Sequence, residues 1–137
     1  MKLSDAQLRR LTGKARSGDL SAAKELWEHY TWYDDFQHAA PWEERLSNAG
    51  EPEVIGYRSD MLFSKAYRLQ DADPMKLALL KRSLVLEARY RKATAGRVLH
   101  VWVNGKNVDM RQSGEPNEAT RNMQNMLARV EAAQEKR

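Results

Sequence analysis

The alternation of apolar and polar residues predicts a mainly α-helical chain. Apolar residues recur every three or four positions over most of the sequence, which puts them on one face of successive helices. Ser4 and Gln7 form a capping-box pattern at the start of a first helix. Asp19 is an N-cap candidate for a second helix that runs to about Tyr33. We expect the second helix to bury a stripe made of Ala22, Ala23, Leu26, Trp27 and Tyr30.

The four prolines of the chain predict where the later helices begin. Proline is tolerated at the first position of a helix, because the missing amide hydrogen costs nothing there. On this rule Pro41, Pro52 and Pro74 open a third, a fourth and a fifth helix, and Pro116 opens a final one. The apolar stripe of the final helix would consist of Met123, Met126, Leu127 and Val130.

The segment from residue 98 to residue 110 allows two interpretations. Val98–Val103 is rich in β-branched residues, and Asn104-Gly105 is a strong signal for a two-residue hairpin turn. A short helix ended by the same Asn-Gly pair is the alternative, since a helical repeat would have a helix here. We prefer the hairpin. The predicted fold is therefore a compact, mainly α bundle of about six helices, stacked as helical hairpins in a single domain over residues 1–137, with a small β-hairpin near residues 98–110.

A second pattern resembles that of helical repeat proteins. The residues that carry it are Gly18, Asp19, Ala22, Ala23, Leu26, Tyr30, Trp42 through Gly50, Arg89 through Ala93, and Gly96. Gly18 and Gly50 lie 32 residues apart, and periods of this size mark stacked helical hairpins. Over about residues 15–96 the chain resembles the Sel1-like and tetratricopeptide families. The glycine-rich loop of Sel1-like repeats is missing, and residues 31–36 stand in its position. The resemblance implies a scaffold that binds proteins or peptides.

Composition favours a globular protein of a reducing compartment. Hydrophobic residues make up 42% of the chain and charged residues 31%, which is enough for a core and too apolar for wholesale disorder. There is no cysteine, so disulfides and thiolate metal sites are excluded. The N-terminal segment lacks the apolar stretch of a signal peptide, and no apolar run reaches the ~20 residues that a bilayer requires. We therefore expect a cytoplasmic protein with no membrane association.

The formal net charge of +4 conceals two segments of opposite sign. Residues 19–60 hold ten acidic and three basic residues, a net charge of −7. Residues 81–97 hold six basic residues and one acidic residue, a net charge of +5. Such a polarised distribution says more about partners than the total charge does. The acidic segment would suit a basic protein, and the basic segment would suit a nucleic acid.

No motif in the sequence indicates an enzyme. The nucleophile elbow, the phosphate-binding glycine loop and the dinucleotide fingerprint are all absent. Asp34-Asp35 and Glu43-Glu44 offer acid–base pairs in principle, but carboxylates adjacent in sequence usually point apart and face water. His29 and His38, together with the same aspartates, carry metal-binding groups without the spacing of a helical ligand pair. We therefore predict a protein that is not an enzyme and that holds neither a cofactor nor a metal.

The stretch from Trp27 to Trp42 is the best candidate for a protein-binding site. Aromatic side chains dominate binding hot spots, and carboxylates around them steer a basic partner. We interpret Trp27, Tyr30 and Trp42 as core residues, whereas Trp32, Tyr33 and Phe36 are hard to bury together. The predicted partner-binding residues are Glu28, Trp32, Tyr33, Asp34, Asp35, Phe36, Glu43 and Glu44.

A concrete form of this hypothesis is an immunity-type inhibitor, a protein that binds and neutralises a bacterial toxin or effector such as a nuclease. Small size, the lack of catalytic motifs and the localised negative charge motivate it. The choice of this class rests on analogy with other small helical proteins.

The basic segment supports a different hypothesis, a nucleic-acid-associated or regulatory module. Its bases would follow a phosphate backbone, with Tyr90 and Trp102 available for stacking on bases. A solvated face of an amphipathic helix would produce the same pattern. The alternative nucleic-acid-binding residues are Arg89, Arg91, Lys92 and Arg97.

Overall fold

The computed structural model describes residues 2–136 and is mainly helical. Within these residues it contains six α-helices and one two-stranded antiparallel sheet. The predicted fold class, a helical bundle with a small β-hairpin, is confirmed. None of the helices among residues 2–136 is long and apolar enough to span a bilayer. In chain order the elements are α1 Asp5–Arg16, α2 Leu20–Trp32, α3 Phe36–Asn48, α4 Pro52–Tyr67, α5 Pro74–Thr94, β1 Val98–Val103, β2 Lys106–Arg111 and α6 Glu118–Glu135.

The chain divides into two compact units, Met1–Val54 and Ile55–Arg137, which we call the N-terminal unit and the C-terminal unit. The boundary falls in the first turn of α4. The N-terminal unit contains α1, α2 and α3, and the C-terminal unit contains most of α4 together with α5, the hairpin and α6. Each unit has its own buried apolar residues. A single domain over residues 1–137 stays a prediction.

Side-chain caps start the first two helices, as predicted. The hydroxyl of Ser4 accepts a hydrogen bond from the Gln7 amide, and the Gln7 side chain accepts one from the Ser4 amide. A carboxylate oxygen of Asp19 accepts from the amide of Ala22 at 3.1 Å. Helix α2 packs against both α1 and α3. The buried apolar residues of the N-terminal unit are Leu11, Ala15, Ala22, Ala23, Leu26, Trp27, Ala39, Leu46 and Val54.

A hydrogen bond between a tryptophan and a glutamate connects α2 to α3. Trp27 is 7% exposed, which confirms its predicted core position, and its Nε1 donates a hydrogen bond to Glu43 at 3.1 Å. Tyr30 and Trp42 are only partly buried. Within α3, the guanidinium of Arg45 lies 5.3 Å from the centre of the Trp42 ring, within the range of a cation–π contact.

The prediction that Pro41 opens the third helix is wrong. Helix α3 begins at Phe36, and Pro41 lies in its interior. The reason is Asp35, whose Oδ1 accepts a hydrogen bond from the amide of His38 at 3.2 Å and so caps the helix before the proline is reached. Inside the helix, Pro41 leaves the carbonyl of Gln37 without its usual intrahelical donor. The N-cap, and not the proline, sets the start of α3.

The other prolines follow the predicted rule in two cases of three. Pro52 and Pro74 are the first residues of α4 and α5, as predicted. Pro116 lies outside α6, which begins two residues later, so that prediction is wrong. The cause is again a side-chain cap. Asn117 Oδ1 accepts from the Thr120 amide at 3.0 Å, and the Thr120 hydroxyl accepts from the Asn117 amide at 3.1 Å.

The C-terminal unit has a core to which α4, α5 and α6 each contribute. Ala66 of α4, Leu80 of α5 and Val130 of α6 are fully buried and belong to one cluster. Met123 is also buried, so the predicted apolar stripe of the last helix is confirmed. The partly buried residues packed against this cluster are Phe63, Leu77, Leu79, Met126 and Leu127.

Small side chains bring α4 and α5 close together. The hydroxyl of Ser59 donates to the carbonyl of Ser83, and the hydroxyl of Ser83 donates to the carbonyl of Ser59, each at 2.9 Å. Both serines are buried. A Cβ added at Gly56 would lie 3.0 Å from two ring carbons of Tyr90, so a side chain there would crowd the ring.

The segment 98–110 is a β-hairpin, so the preferred prediction is confirmed and the alternative of a short helix is wrong. Strand β1 pairs antiparallel with β2, with Val103 opposite Lys106. Asn104 and Gly105 connect the strands, and both have a positive φ, 51° and 78°. Two positive φ angles are what a type I′ turn requires, and Asn-Gly adopts it readily.

Asp71 links the segment before α5 to α6 through ion pairs. Its carboxylate lies 2.8 Å from Lys76 Nζ and 3.0 Å from Arg129 Nε. The Lys76 side chain is almost fully buried and also donates to the carbonyl of Leu69 at 2.9 Å. Hydrogen bonds, first from Lys76 and then from Arg129, lower the pKa of Asp71 from its ordinary value of 3.8.

The lowered pKa of Asp71 predicts a pH-dependent contribution to stability. A carboxyl whose pKa is lower in the folded protein stabilises it above the ordinary value of 3.8, and this contribution is lost as the pH falls through the folded-state pKa. We therefore expect Asp71→Asn to lower the melting temperature at about pH 7 and to have a much smaller effect at about pH 2.5. Thermal unfolding at both pH values measures this. An equal difference at the two values would contradict the assignment.

Candidate functional site

The three-residue turn Tyr33-Asp34-Asp35 joins α2 to α3 at the predicted partner-binding stretch. Asp34 has a left-handed backbone with φ 57°, a conformation that aspartate and asparagine adopt more readily than most residues. The amide of Asp34 donates to the carbonyl of Thr31 at 3.1 Å, and the amide of Asp35 donates to the carbonyl of Tyr30 at 2.8 Å. The turn is therefore held by its own backbone hydrogen bonds.

Three aromatic side chains around this turn are exposed. Trp32, the last residue of α2, is 74% exposed, and Tyr33 and Phe36 are each 48% exposed. The expectation that these three are hard to bury together is confirmed. Large apolar side chains grouped on a surface mark interaction sites more often than single exposed ones do.

Asp35 holds a negative charge at the turn while it caps α3. Its Oδ2 lies 2.8 Å from Nδ1 of His38, in addition to the bond that its Oδ1 accepts from the His38 amide. The hydrogen bond with the His38 side chain lowers the pKa of Asp35 from its ordinary value of 3.8. Asp35 therefore has a structural role that the neighbouring Asp34, which is exposed, does not share.

A groove of about 380 Å³ lies beside Trp32. Glu25 and Glu28, both exposed, contribute carboxylates to it. Two carboxylates next to an indole ring match the chemistry of an ammonium or guanidinium group, which pairs with carboxylates and is attracted to aromatic faces. The residues that line the groove are Leu3, Glu25, Glu28, His29 and Trp32.

Sequence reasoning missed part of this groove. Glu28 and Trp32 were predicted as partner-binding residues, but Glu25 was not. The missed signal is the spacing of Glu25, Glu28 and Trp32 at i, i+3 and i+7, which puts them on one face of α2. Leu3 comes from the segment before α1, and only the folded chain brings it to α2.

A cluster of rings supports the turn from the side of α2. The centre of the His29 ring lies 5.2 Å from the centres of the Tyr30 and Tyr33 rings. Tyr30 stacks on His38 at 5.4 Å. Nδ1 of His29 is buried and has no hydrogen-bond partner among the described residues. The exposed Tyr33 is thus packed on one side and open to solvent on the other.

The two predicted glutamates of α3 have different environments. Glu43 is partly buried and accepts the hydrogen bond from Trp27 Nε1, so it contributes to the packing of α2 on α3. Glu44 is exposed, about two helical turns beyond Phe36. Glu43 is therefore a packing residue and not part of the exposed surface around the turn.

The four predicted nucleic-acid-binding residues are not equally accessible. Arg91 is mostly buried, and its guanidinium donates to Glu87 at 2.7 Å and to the carbonyl of Gly114 at 3.0 Å. Arg89, Lys92 and Arg97 are exposed. Arg91 thus stabilises the C-terminal unit, and three of the four predicted residues remain open to a ligand.

The turn does not assemble a metal site. Among residues 2–136, no group of three or more histidine or carboxylate side chains is arranged to hold a metal ion. The side chains of His29, Asp34, Asp35 and His38 are therefore not brought together as a ligand set.

Comparisons with family models, with curated proteins and with solved structures return no match to this chain. The resemblance to Sel1-like and tetratricopeptide repeats over about residues 15–96 stays a prediction. Function is therefore inferred from the exposure, charge and geometry of the residues described above.

Proposed function

We propose that this chain is a non-enzymatic protein-binding module that binds a basic protein through the surface around the α2–α3 turn. We call this the acidic-aromatic surface. The observation that carries the proposal is the exposure of three aromatic side chains at a turn that is flanked by carboxylates. The residues of the surface are Glu25, Glu28, Trp32, Tyr33, Asp34, Asp35, Phe36 and Glu44.

The two components of this surface have different physical roles in binding. Burial of an aromatic ring such as Trp32 against a partner supplies affinity, because it removes a large apolar area from water with few rotamers to fix. The carboxylates supply attraction at long range and penalise acidic competitors. The groove formed by Glu25 and Glu28 beside Trp32 offers a specific position for one lysine or arginine side chain of the partner.

The concrete form of the proposal is an immunity-type inhibitor that neutralises a bacterial toxin or effector in the cytoplasm. A toxin that acts on nucleic acid or on other phosphorylated targets carries a basic active-site cleft, and an acidic surface with protruding aromatic rings would occlude it. The product of a gene adjacent to the one for this chain is the first partner to test.

Binding to the product of the adjacent gene is expected to depend on Trp32. A hot-spot tryptophan contributes at least about 2 kcal/mol, so Trp32→Ala should weaken the affinity about 30-fold or more, measured by titration calorimetry. Tyr67→Ala is the control, because Tyr67 is 68% exposed at the end of α4 and lies outside the surface. If both variants bind as tightly as the unaltered protein, the acidic-aromatic surface is not the binding site for this partner.

The carboxylates are tested by their effect on the association rate. Glu25→Gln, Glu28→Gln and Asp34→Asn remove charge, and asparagine retains access to the left-handed backbone at position 34. We expect slower association and a weaker dependence of the rate on salt. Asp35 is left intact, because its loss would also uncap α3.

Nucleic-acid binding is the alternative, and one observation favours it. The C-terminal unit contains sixteen basic and nine acidic residues, with Arg89, Lys92 and Arg97 exposed and Trp102 75% exposed. The variant Arg89→Glu with Lys92→Glu would abolish such binding and spare binding through the acidic-aromatic surface. Arg91 is excluded from this test, since its substitution would disturb the fold.

A further inference from the structure

The β-hairpin is exposed to solvent on both faces. All six residues of β2 are exposed, and in β1 only Val101 is partly buried. One face carries Leu99 and Val103 of β1 together with Val108 and Met110 of β2, and each of these four is at least 38% exposed. A two-stranded hairpin is at best marginally stable in water unless it packs against another element. The hairpin therefore presents apolar surface that a further partner would stabilise.

The base of the hairpin is firmly attached to the rest of the C-terminal unit. The amide of Gly96 donates to the carbonyl of Gln112 at 2.7 Å, and the Arg111 guanidinium donates to the carbonyl of Gly96 at 2.8 Å. Beyond the hairpin, Gly114 accepts a hydrogen bond from Arg91. A Cβ at Gly114 would lie 2.9 Å from that of Ala95, so the chain passes close to the end of α5. The exposed strands thus extend from a fixed base.

The pattern of hydrogen bonds across the hairpin follows from its two ends. At the base, the amide of Gln112 donates to the carbonyl of Arg97 at 2.8 Å, which is one of the two bonds of a hydrogen-bonded pair, while the Arg97 amide donates to the carbonyl of Thr94. At the tip, the two-residue turn closes on the pair of Val103 and Lys106. Along an antiparallel hairpin, opposite residues that exchange backbone hydrogen bonds alternate with opposite residues that do not. The base and the tip of this hairpin place the hydrogen-bonded pairs at the same positions. The amides that point away from the partner strand are those of Val98, His100 and Trp102 on β1 and of Asn107, Asp109 and Arg111 on β2.

The two open edges differ in their protection against further strand pairing. Proteins protect exposed edges with proline, lysine and other charged residues. Strand β2 has such protection, because Lys106, Asp109 and Arg111 are all charged. Strand β1, Val-Leu-His-Val-Trp-Val, has no proline and no acidic residue or lysine or arginine. The imidazole of its His100 already pairs with Asp109 on β2.

We propose that two copies of this chain pair through the β1 edge, antiparallel and centred on His100. The outward amides and carbonyls of β1 then bond with those of β1 in the second copy, and the two hairpins form one four-stranded sheet. His100 lies opposite His100 of the second copy. Val98, which is 42% exposed, lies opposite Trp102, which is 75% exposed, and this apolar pair occurs twice by symmetry.

The charges along the strands favour a second copy of this chain as the partner of the β1 edge. The edge of β1 is uncharged apart from a histidine that has an aspartate beside it, so it meets an identical edge without repulsion. The same symmetric pairing on β2 would put Asp109 against Asp109 and is disfavoured. A strand from a different protein would need apolar side chains opposite Trp102 and Val98. In the symmetric pair, the Val98 and Trp102 of the second copy already occupy those positions.

The expected dimer is weak and reversible. Pairing of six-residue strands buries less than the ~1,200 Å² of a standard stable interface. We therefore expect a dissociation constant in the micromolar range. The oligomeric state should be followed by sedimentation equilibrium from about 1 μM to about 1 mM protein, a range that brackets this affinity.

Two proline variants form a matched test. His100→Pro and Asp109→Pro each remove one outward amide, and each breaks the same ion pair, while both leave the β1–β2 hydrogen bonds intact. Only His100→Pro blocks the β1 edge. We expect His100→Pro to be monomeric over the whole range and Asp109→Pro to dimerise like the unaltered protein. Circular dichroism verifies that the two variants are equally folded.

Three results would overturn the proposal. The unaltered protein could stay monomeric at the highest concentration. The β1 edge would then not pair with a second copy, and a strand of another protein would be its remaining candidate partner. Both proline variants could lose dimerisation, or both could retain it, and in either case the β1 edge is not the interface. Trp32→Ala should dimerise normally, so the outcome is independent of the acidic-aromatic surface.

A disulfide trap gives a second, independent measurement. The chain has no cysteine, so a single introduced thiol can form only an intermolecular bridge. Hydrogen-bonded antiparallel partners have Cα atoms about 5.5 Å apart, within the range of a disulfide. His100→Cys should therefore form a covalent dimer under mild oxidation, and Asp109→Cys should form much less. Equal cross-linking of the two variants would contradict the predicted register.

Discussion

Replacement of Arg91 by methionine is expected to lower the free energy of unfolding by about 3–5 kcal/mol. Glu87 is 9% exposed, and one of its oxygens accepts hydrogen bonds from Arg91 Nε and from the Thr120 hydroxyl, each at 2.7 Å. Without Arg91 the buried carboxylate would keep a single neutral donor. The cost is large because a buried charge without a counter-charge is poorly solvated. Urea denaturation at neutral pH measures the change.

The double variant Arg91→Met with Glu87→Met separates the ion pair from general packing. Replacement of both charges by apolar side chains of similar length removes the unpaired carboxylate, so most of the lost stability should return. Lys92→Met is the surface control, since Lys92 is exposed, and it should change stability by no more than about 0.5 kcal/mol. A loss below about 1 kcal/mol for Arg91→Met would mean that water or another group compensates Glu87.

Leu26→Ala is expected to lower the free energy of unfolding by about 2–5 kcal/mol. Leu26 is fully buried in the N-terminal unit, on the helix whose end carries Trp32. The truncation removes apolar contacts and leaves a cavity that the surrounding helices fill only in part. Chemical denaturation, followed by tryptophan fluorescence and by circular dichroism, measures the loss.

Leu20→Ala provides the matched control, because it makes the same chemical change at the start of the same helix. Leu20 is 46% exposed, so its truncation should cost no more than about 0.5 kcal/mol. Similar losses in the free energy of unfolding for the two variants would show that the burial of Leu26 does not determine its contribution to stability. If Leu26→Ala also weakens partner binding while Leu20→Ala does not, α2 positions the acidic-aromatic surface.

The parts of the fold that could be predicted from sequence are those set by short-range interactions. Ser4 with Gln7 and Asp19 with Ala22 form caps within three residues, and both were predicted. The hairpin depends on the two-residue turn at Asn104, whose left-handed backbone is a local property of the residue pair. In each case the decisive interaction lies within a few positions along the chain.

The two wrong helix starts come from competition between local signals. At Pro41 and Pro116 the proline rule gave one answer and a nearby cap gave another. Asp35 and Asn117 each accept a hydrogen bond from the amide three residues on, and this stabilises the first turn of the helix directly. A proline only permits a helix to begin. Side-chain capping therefore outweighs proline position in this chain.

The candidate site was predictable only in part, for reasons of distance along the chain. The exposed aromatic residues belong to one continuous stretch and were recognised together. The different role of Glu43 depends on Trp27, which is sixteen residues away, and that of Arg91 depends on Gly114, which is twenty-three residues away. Such contacts arise from the packing of helices, and no single stretch of sequence encodes them.

The turn at Asp34 has a consequence for the speed of recognition. Because the backbone hydrogen bonds of the turn are already formed, a partner that binds the proposed acidic-aromatic surface would meet an ordered backbone, and little conformational entropy would be lost there. Preorganisation of this kind leaves diffusion and charge steering to limit the association rate. Partners of similar charge would then differ mainly in how long they stay bound. The aromatic rings would set residence time, and the carboxylates would set the rate of capture.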